Sequence, residues 1–382
     1  EDRIYVECST AKDLLLAYLG SVAAARFFAR DEMAFKKLHA LSVRGLRTIQ
    51  ERLESVYSSE RLAEALDSLG EEVPYHPNGG RQDSEGLLPT FPEIYGYGPQ
   101  DSFYEDDYID ALQMLSSALD EAFFKKVELA LSGTDGKLRH PPIKSRTRMR
   151  NKLGDPDDHL GKAKPRPAHN IDTIRCSATF ADARSLTKGY HALVQAFGVP
   201  VRVKNNFRAD FNPATSYGYR SVMMNLRFDT GVTFDEVFGS SQETEMAQSA
   251  KSDWDTIADN QVSREAGNAM KRILREWFRH ESMRSVPIAM AAEVQLILAP
   301  YLKARKESHL LYKVARCSGA DALVSDAAGR ALENKCGDQK ALKAATQRMQ
   351  VRVAALIEQR THHAHGVAED CSLASCTTID LE

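Results

Sequence analysis

The eleven-residue run Ile288-Ala-Met-Ala-Ala-Glu293-Val-Gln295-Leu-Ile-Leu298 is apolar except at two positions. Its length and composition predict a strand buried among neighbours, because a run this apolar has no face to offer water. Side chains alternate along a strand, so Glu293 and Gln295 share one face. An ionised carboxylate inside such a strand costs several kcal/mol unless a cation compensates it. The chain must therefore build a cationic or metal-bearing site against the middle of its sheet. A simple packed core does not need that pair.

Three further strand-like runs precede it, Ile171 to Phe180, Val199 to Phe207 and Ser221 to Phe228. Helical periodicity dominates Ala11 to Leu69, and Glu105, Asp106 and Asp107 open another helix that runs to about Leu131. Acids in a first turn favour the positive end of the helix dipole. The stretch 73–100 is a Pro, Gly and Tyr-rich loop with an Asn78-Gly79-Gly80 turn. Between the third and fourth strands, residues 230–284 form a connection far longer than usual and read as a helical insertion. Long helices return after Tyr301. The expected fold class is α+β, with a mixed β-sheet flanked by helices. The expected organisation is a helical N-terminal domain over 1–132, a second domain over 133–320, and a helical extension with a flexible tail over 321–382.

Composition excludes some classes. A formal charge of −3 gives no global attraction for nucleic acid or acidic membranes, so any basic site is local. No run approaches about 18 apolar residues, which argues against a membrane-spanning helix. The expected setting is cytoplasmic, or that of an exported effector whose N-terminus has been trimmed. Six cysteines are too few for a disulfide framework. Cys371 and Cys376 near His362, His363 and His365 fit no compact zinc spacing.

Local basic character is pronounced. From Lys137 to Arg175 the chain carries eleven Lys or Arg against four acids. Lys144, Arg148 and Lys152 are four apart and would form one cationic stripe on a helix. Such clustering serves either a solvated face or an anion site. Asp172-Thr-Ile-Arg175 heads the first strand-like run, and in a regular strand its two charges would face opposite ways. Tyr217-Gly218-Tyr219-Arg220 reads as a tight turn before the third strand, offering aromatics and a guanidinium to a planar base and its phosphates. Arg202 and Lys204 add cationic reach from the second strand. His309 and Tyr312 share a helical face, with Arg305 close by.

Taken in order, a basic helix, a D-x-x-R strand, a G-Y-R-S turn, an E-V-Q strand and an H-x-x-Y-K helix resemble the synthetase domain of the RelA/SpoT family of pyrophosphokinases. The resemblance covers about Lys137 to Arg316, with 230–284 unmatched. It implies a nucleotidyltransferase-like fold and Mg²⁺-dependent transfer of pyrophosphate from ATP to the ribose 3′-hydroxyl of GDP or GTP, giving an alarmone. By the same resemblance, Asp172 and Glu293 are the catalytic, metal-binding acids. Lys144, Arg148, Lys152 and Arg175 hold ATP phosphates, and Lys204, Tyr219, Arg220, Gln295, His309 and Tyr312 serve the acceptor. No His-Asp dipeptide occurs, so the family's companion hydrolase is not expected. Small members without it include toxins, which leaves an adenine nucleotide or an RNA or tRNA 3′ end as the alternative acceptor. Met223 stands where well-known members often have a histidine, and Asn170 aligns with the catalytic acid if Arg175 is matched to a later family arginine. These two positions keep open a third reading, a nucleotide-binding module without turnover.

Overall fold

The computed structural model describes residues 32–57, 91–155, 158–208, 210–239, 245–261, 264–315, 319 and 338–373. The helical runs expected before residue 32 and over 58–69, the loop over 73–90, Arg316 and the tail beyond 373 lie outside the described residues. The elements are α1 (Glu32–Tyr57), α2 (Ser102–Leu131), β1 (Lys137–Arg139), α3 (Arg146–Leu153), β2 (Ile174–Phe180), α4 (Ala183–Phe197) and β3 (Arg202–Asn205). They continue with β4 (Val222–Thr233), α5 (Phe234–Phe238), α6 (Glu245–Asp259), α7 (Arg264–Ile273), β5 (Pro287–Leu298), α8 (Ala299–Ala315) and α9 (Gln339–Leu373). The α+β class follows directly. Among the described residues no helix is long and apolar enough to cross a membrane.

The five strands form one mixed sheet in the order β1-β2-β5-β4-β3. Only β2 and β5 run parallel, and they are joined through most of the chain between them. Alternation decides the two faces. On β2 the side chains of Ile174, Cys176, Ala178 and Phe180 are buried, whereas Arg175, Ser177 and Thr179 are half-buried. On β4, Val222, Met224, Leu226 and Phe228 join the same apolar face. Helices α2 and α4 cover it, with Phe123 of α2 against both Phe197 and Phe228.

Helix α4 approaches β2 closely for a specific reason. Asp182 caps its first turn by accepting from the Ser185 N–H. Leu186, Tyr190 and Leu193 form its buried stripe. Gly189 lies directly over the Phe180 ring, where a Cβ would come within 2.4 Å of the ring carbons. No larger residue fits without moving that ring.

The segment between β4 and β5 is helical among its described residues. β4 and β5 pair directly from Val222–Leu296 to Asp229–Ala289, so the sheet closes without it. The insertion starts at Phe234, four residues later than expected, because β4 extends through Thr233. A capping box between Thr233 and Glu236 then starts α5. Phe234, Phe238, Trp254, Trp277 and Phe278 pack together, and Phe91 stacks on Trp277 at 4.6 Å. This cluster belongs to the same hydrophobic core as α2, the sheet and α9. The boundary expected at residue 132 therefore does not divide the core, because α2 is needed to cover the sheet.

Candidate active site

The sheet face opposite α2 and α4 carries the polar positions. Strand register sets them in two rows. Arg175 lies opposite Glu293, Glu293 opposite Asn225, and Asn225 opposite Arg202. The next row runs Arg139, Ser177, Gln295, Met223 and Lys204. Register partners share a face, so an apolar strand and four polar neighbours bring one charged floor together.

One end of this floor is covered by the loop before β2. Ile171 packs on Ala289 and Ala291, and Asn225 Nδ2 donates to the Ile171 carbonyl at 2.9 Å. Asn225 Oδ1 meanwhile accepts from Arg202 Nε at 2.9 Å. Asp172 thus reaches the polar face from a loop, since β2 begins only at Ile174. The expectation that Asp172 sits within the strand run is corrected here. The strand alternation that would have sent Asp172 and Arg175 to opposite sides does not apply.

The basic segment forms the adjoining wall, in a different form from the expected stripe. Helix α3 starts at Arg146 with Ser145 at its N-cap, so Lys144 precedes the helix in an extended stretch. Its backbone N–H donates to the Thr173 carbonyl, and its side chain is only 2% exposed. The Lys144 ammonium donates to both Asp172 oxygens, at 2.7 and 2.9 Å, and to Asn170 Oδ1 at 3.3 Å. Lys152 lies 3.6 Å from Asp172 and 3.5 Å from Asp158. Arg148 is exposed one turn before Lys152. Lys144 is therefore a buried partner of the acid, and only Arg148 and Lys152 share a helical face towards an anion.

Electrostatics separates the two acids. Burial alone would raise the Asp172 carboxyl, but Lys144 and Lys152 outweigh it and hold Asp172 below the usual carboxylate range. Burial raises Glu293, and the charge of Asp172 raises it further against the pull of Arg202, Arg175 and Lys144. Glu293 makes no hydrogen bond or ion pair among the described residues. Burial lowers the Arg175 guanidinium, with Arg148 acting in the same direction, and its Nε is buried without a partner. An acid and a guanidinium without hydrogen-bond partners among the described residues thus stand on register-paired positions in mid-sheet. His159, buried behind Lys152, is pushed down to about 4 by burial and then by the Lys152 charge, so it is neutral at pH 7.

The far wall comes from the turn before β4 and from α8. Tyr217 and Gly218 both take positive φ, 50° and 78°, and a Cβ on Gly218 would lie 3.2 Å from the Gln50 backbone of α1. Glycine is required there both by conformation and by that approach. Tyr219 packs partly into the core, with burial raising its hydroxyl pKa. Arg220 is buried, donating to the carbonyls of Asn206 and Arg208, so it anchors the loop after β3. Gln295 Nε2 donates to Ser221 Oγ at 3.0 Å, and Arg305 donates to Gln295 Oε1. Tyr312 meets the Tyr217 ring edge-on at 6.2 Å, and His309 is exposed one turn earlier on α8.

The donor set suits a hard divalent cation of the Mg²⁺ type. That ion commonly takes one or two carboxylates and completes its shell with water and substrate phosphate. Asp172 and Glu293 offer two carboxylates that sense each other, one of them unpaired. No group of three or more potential metal-ligating side chains occurs among the described residues. A separate hollow of about 940 Å³ lies between α2, α3, α6, α7 and α9. Of its four acids, Asp106, Asp107 and Asp110 are paired with Arg150, Arg272 and Arg146, the pattern of a helix seam.

Sequence reasoning assigned no role to Ser177, Asn225 or His159, and noted Arg305 only as a neighbour. The pairing register would have exposed Ser177 and Asn225, since both stand beside Glu293 or Gln295. His159 carries no pattern that distinguishes it in one dimension. The chain is thus an α+β protein whose mixed sheet carries two carboxylates among cationic side chains on one face. No protein-family model, curated protein or solved structure matches the chain.

Proposed function

We propose that this site catalyses Mg²⁺-dependent transfer of pyrophosphate from ATP to the ribose 3′-hydroxyl of a nucleotide, GDP or GTP in the leading case. The observation that carries the reading is Glu293, a buried acid that makes no hydrogen bond or ion pair among the described residues and senses the charge of Asp172 on a sheet face that also carries Arg175 and Arg202. A nucleotidyltransferase-like fold would present its acids in this way, on the open face of a mixed sheet. Phosphoryl-type transfer needs charge neutralisation and in-line positioning more than a strong base. Arg148, Lys152 and Arg175 supply the first for the triphosphate, and the sheet floor supplies the second.

The 3′-oxygen attacks the β-phosphorus, the bond from the β-phosphorus to the α,β-bridging oxygen breaks, and AMP leaves with that oxygen. Glu293, kept ionised by a bound cation, would accept the hydroxyl proton. A Mg²⁺ ion held by Asp172 and Glu293 would neutralise the phosphate charge. Lys144 fixes the Asp172 carboxylate while leaving lone pairs of both its oxygens free. Incubation with ATP, Mg²⁺ and a panel of GDP, GTP, ADP and RNA 3′ ends should release AMP with at least one acceptor. Glu293→Gln should lower that rate by about 100-fold or more, the scale of losing a positioned acid-base group. An active Glu293→Gln variant would remove the catalytic assignment.

A further inference from the structure

Helix α8 leaves the end of β5 without a loop, so its second turn stands over the same polar floor. Arg305 projects from that turn. Its guanidinium donates to Gln295 Oε1 and lies 5.8 Å from the centre of the Tyr219 ring, with Nη1 3.5 Å from the Tyr219 hydroxyl. Gln295 is itself tied to Ser221. An exposed guanidinium thus covers the ring that the reading above assigns to the acceptor base, and does so through neutral partners. Arg175, two register positions along the floor, repels Arg305. Arg305, held by neutral partners, and Arg175, whose Nε has no partner among the described residues, are two donors on one side of the floor for an anion. The backbone beneath Arg305 is fixed: Arg52 of α1 pairs with Glu307, and His39 Nε2 meets the Ala315 carbonyl at 3.1 Å. Any exchange at this point is a rotation of one side chain.

We propose that Arg305 selects an acceptor carrying a 5′-phosphate. It holds the face of Tyr219 until the base takes its place on the ring, and then turns to the phosphate. This rests on the acceptor reading of the site, and it adds a residue and a physical basis for discrimination. Stacking alone is tolerant of base identity and indifferent to phosphorylation. The charge on Arg305 is what would separate a nucleotide from its nucleoside.

Titration calorimetry tests this with the donor site saturated by Mg²⁺ and α,β-methylene-ATP, which binds but does not transfer pyrophosphate. GDP is compared with guanosine, and ADP with adenosine, on the wild-type protein, Arg305→Gln and Arg305→Lys. The wild-type protein should bind at least one nucleotide about tenfold or more tighter than its nucleoside, the scale of one charge-assisted contact. Arg305→Gln should lose that preference while nucleoside affinity stays equal or rises, because the ring is uncovered. Arg305→Lys should retain part of the preference. In turnover, Arg305→Gln should raise KM for the acceptor and leave KM for ATP unchanged. A preference that survives in Arg305→Gln overturns the role of Arg305 and leaves the site assignment standing. A wild-type protein that binds none of the four overturns the acceptor reading and this inference together.

Discussion

Lys144 and Arg148 look alike in the sequence, and the structure gives them opposite duties. Lys144 is buried against Asp172, so removing its charge leaves a largely buried carboxylate without compensation. Lys144→Met should cost about 3 kcal/mol of folding stability, the usual penalty for breaking a buried pair from one side. Arg148→Ala, at an exposed position, should leave stability within about 0.5 kcal/mol. It should weaken ATP binding by roughly 1.5–3 kcal/mol, the value of a charge-assisted contact. Denaturant unfolding and calorimetry on the two variants separate these outcomes. The two acids also respond oppositely to pH. Asp172 is depressed, so its contribution is present above the ordinary carboxylate pKa and is lost as pH falls towards the folded value. Glu293 is raised, so its contribution is complete in acid and is lost as pH rises through the folded value. Without divalent cation, Glu293→Gln should therefore raise the melting temperature at pH 7, with the gain shrinking towards pH 4. A melting temperature unchanged at pH 7 would mean that Glu293 is not held uncomfortably at all.

At the scale of elements, the open face depends on how closely α4 seats on the other one. The Phe180 ring lies against both Gly189 and Gly136, where a Cβ would approach ring carbons to 2.4 and 2.8 Å. Alanine is the better helix former by about 1 kcal/mol. Even so, Gly189→Ala should destabilise, by about 1–3 kcal/mol, because the ring would have to give way. Chemical denaturation measures this, and a variant more stable than wild type would show that the ring can move aside. Part of this was legible beforehand. Alternation along β5 put Glu293 and Gln295 on one face, and the three-residue step from Asp172 to Arg175 raised the question of facing. The answer lay in Ile171, whose packing on Ala289 and Ala291 ends the loop and delays the strand to Ile174. A contact between residues more than a hundred positions apart leaves no local trace.

Across the whole molecule, pieces distant in sequence converge on one core. Phe91, α2, the insertion helices and α9 share it, and Arg348 and Arg352 of α9 pair with Asp253 of α6. Residues 1–132 were expected to stand apart because their helical texture differs from the strands that follow, but texture reports periodicity and not partners. The sequence by itself determined the α+β class, the four principal strands, and the presence of an acid in mid-sheet that a packed core does not need. These are properties of local alternation and of the energetic cost of a buried charge, and both act within a few residues. Tertiary structure alone decided that Lys144 clamps Asp172, that Asn225 and Arg202 flank Glu293, and that Arg305 covers Tyr219. Strand order and register choose those neighbours. They are set by which apolar faces can be buried together, a property of the whole chain that no single segment encodes.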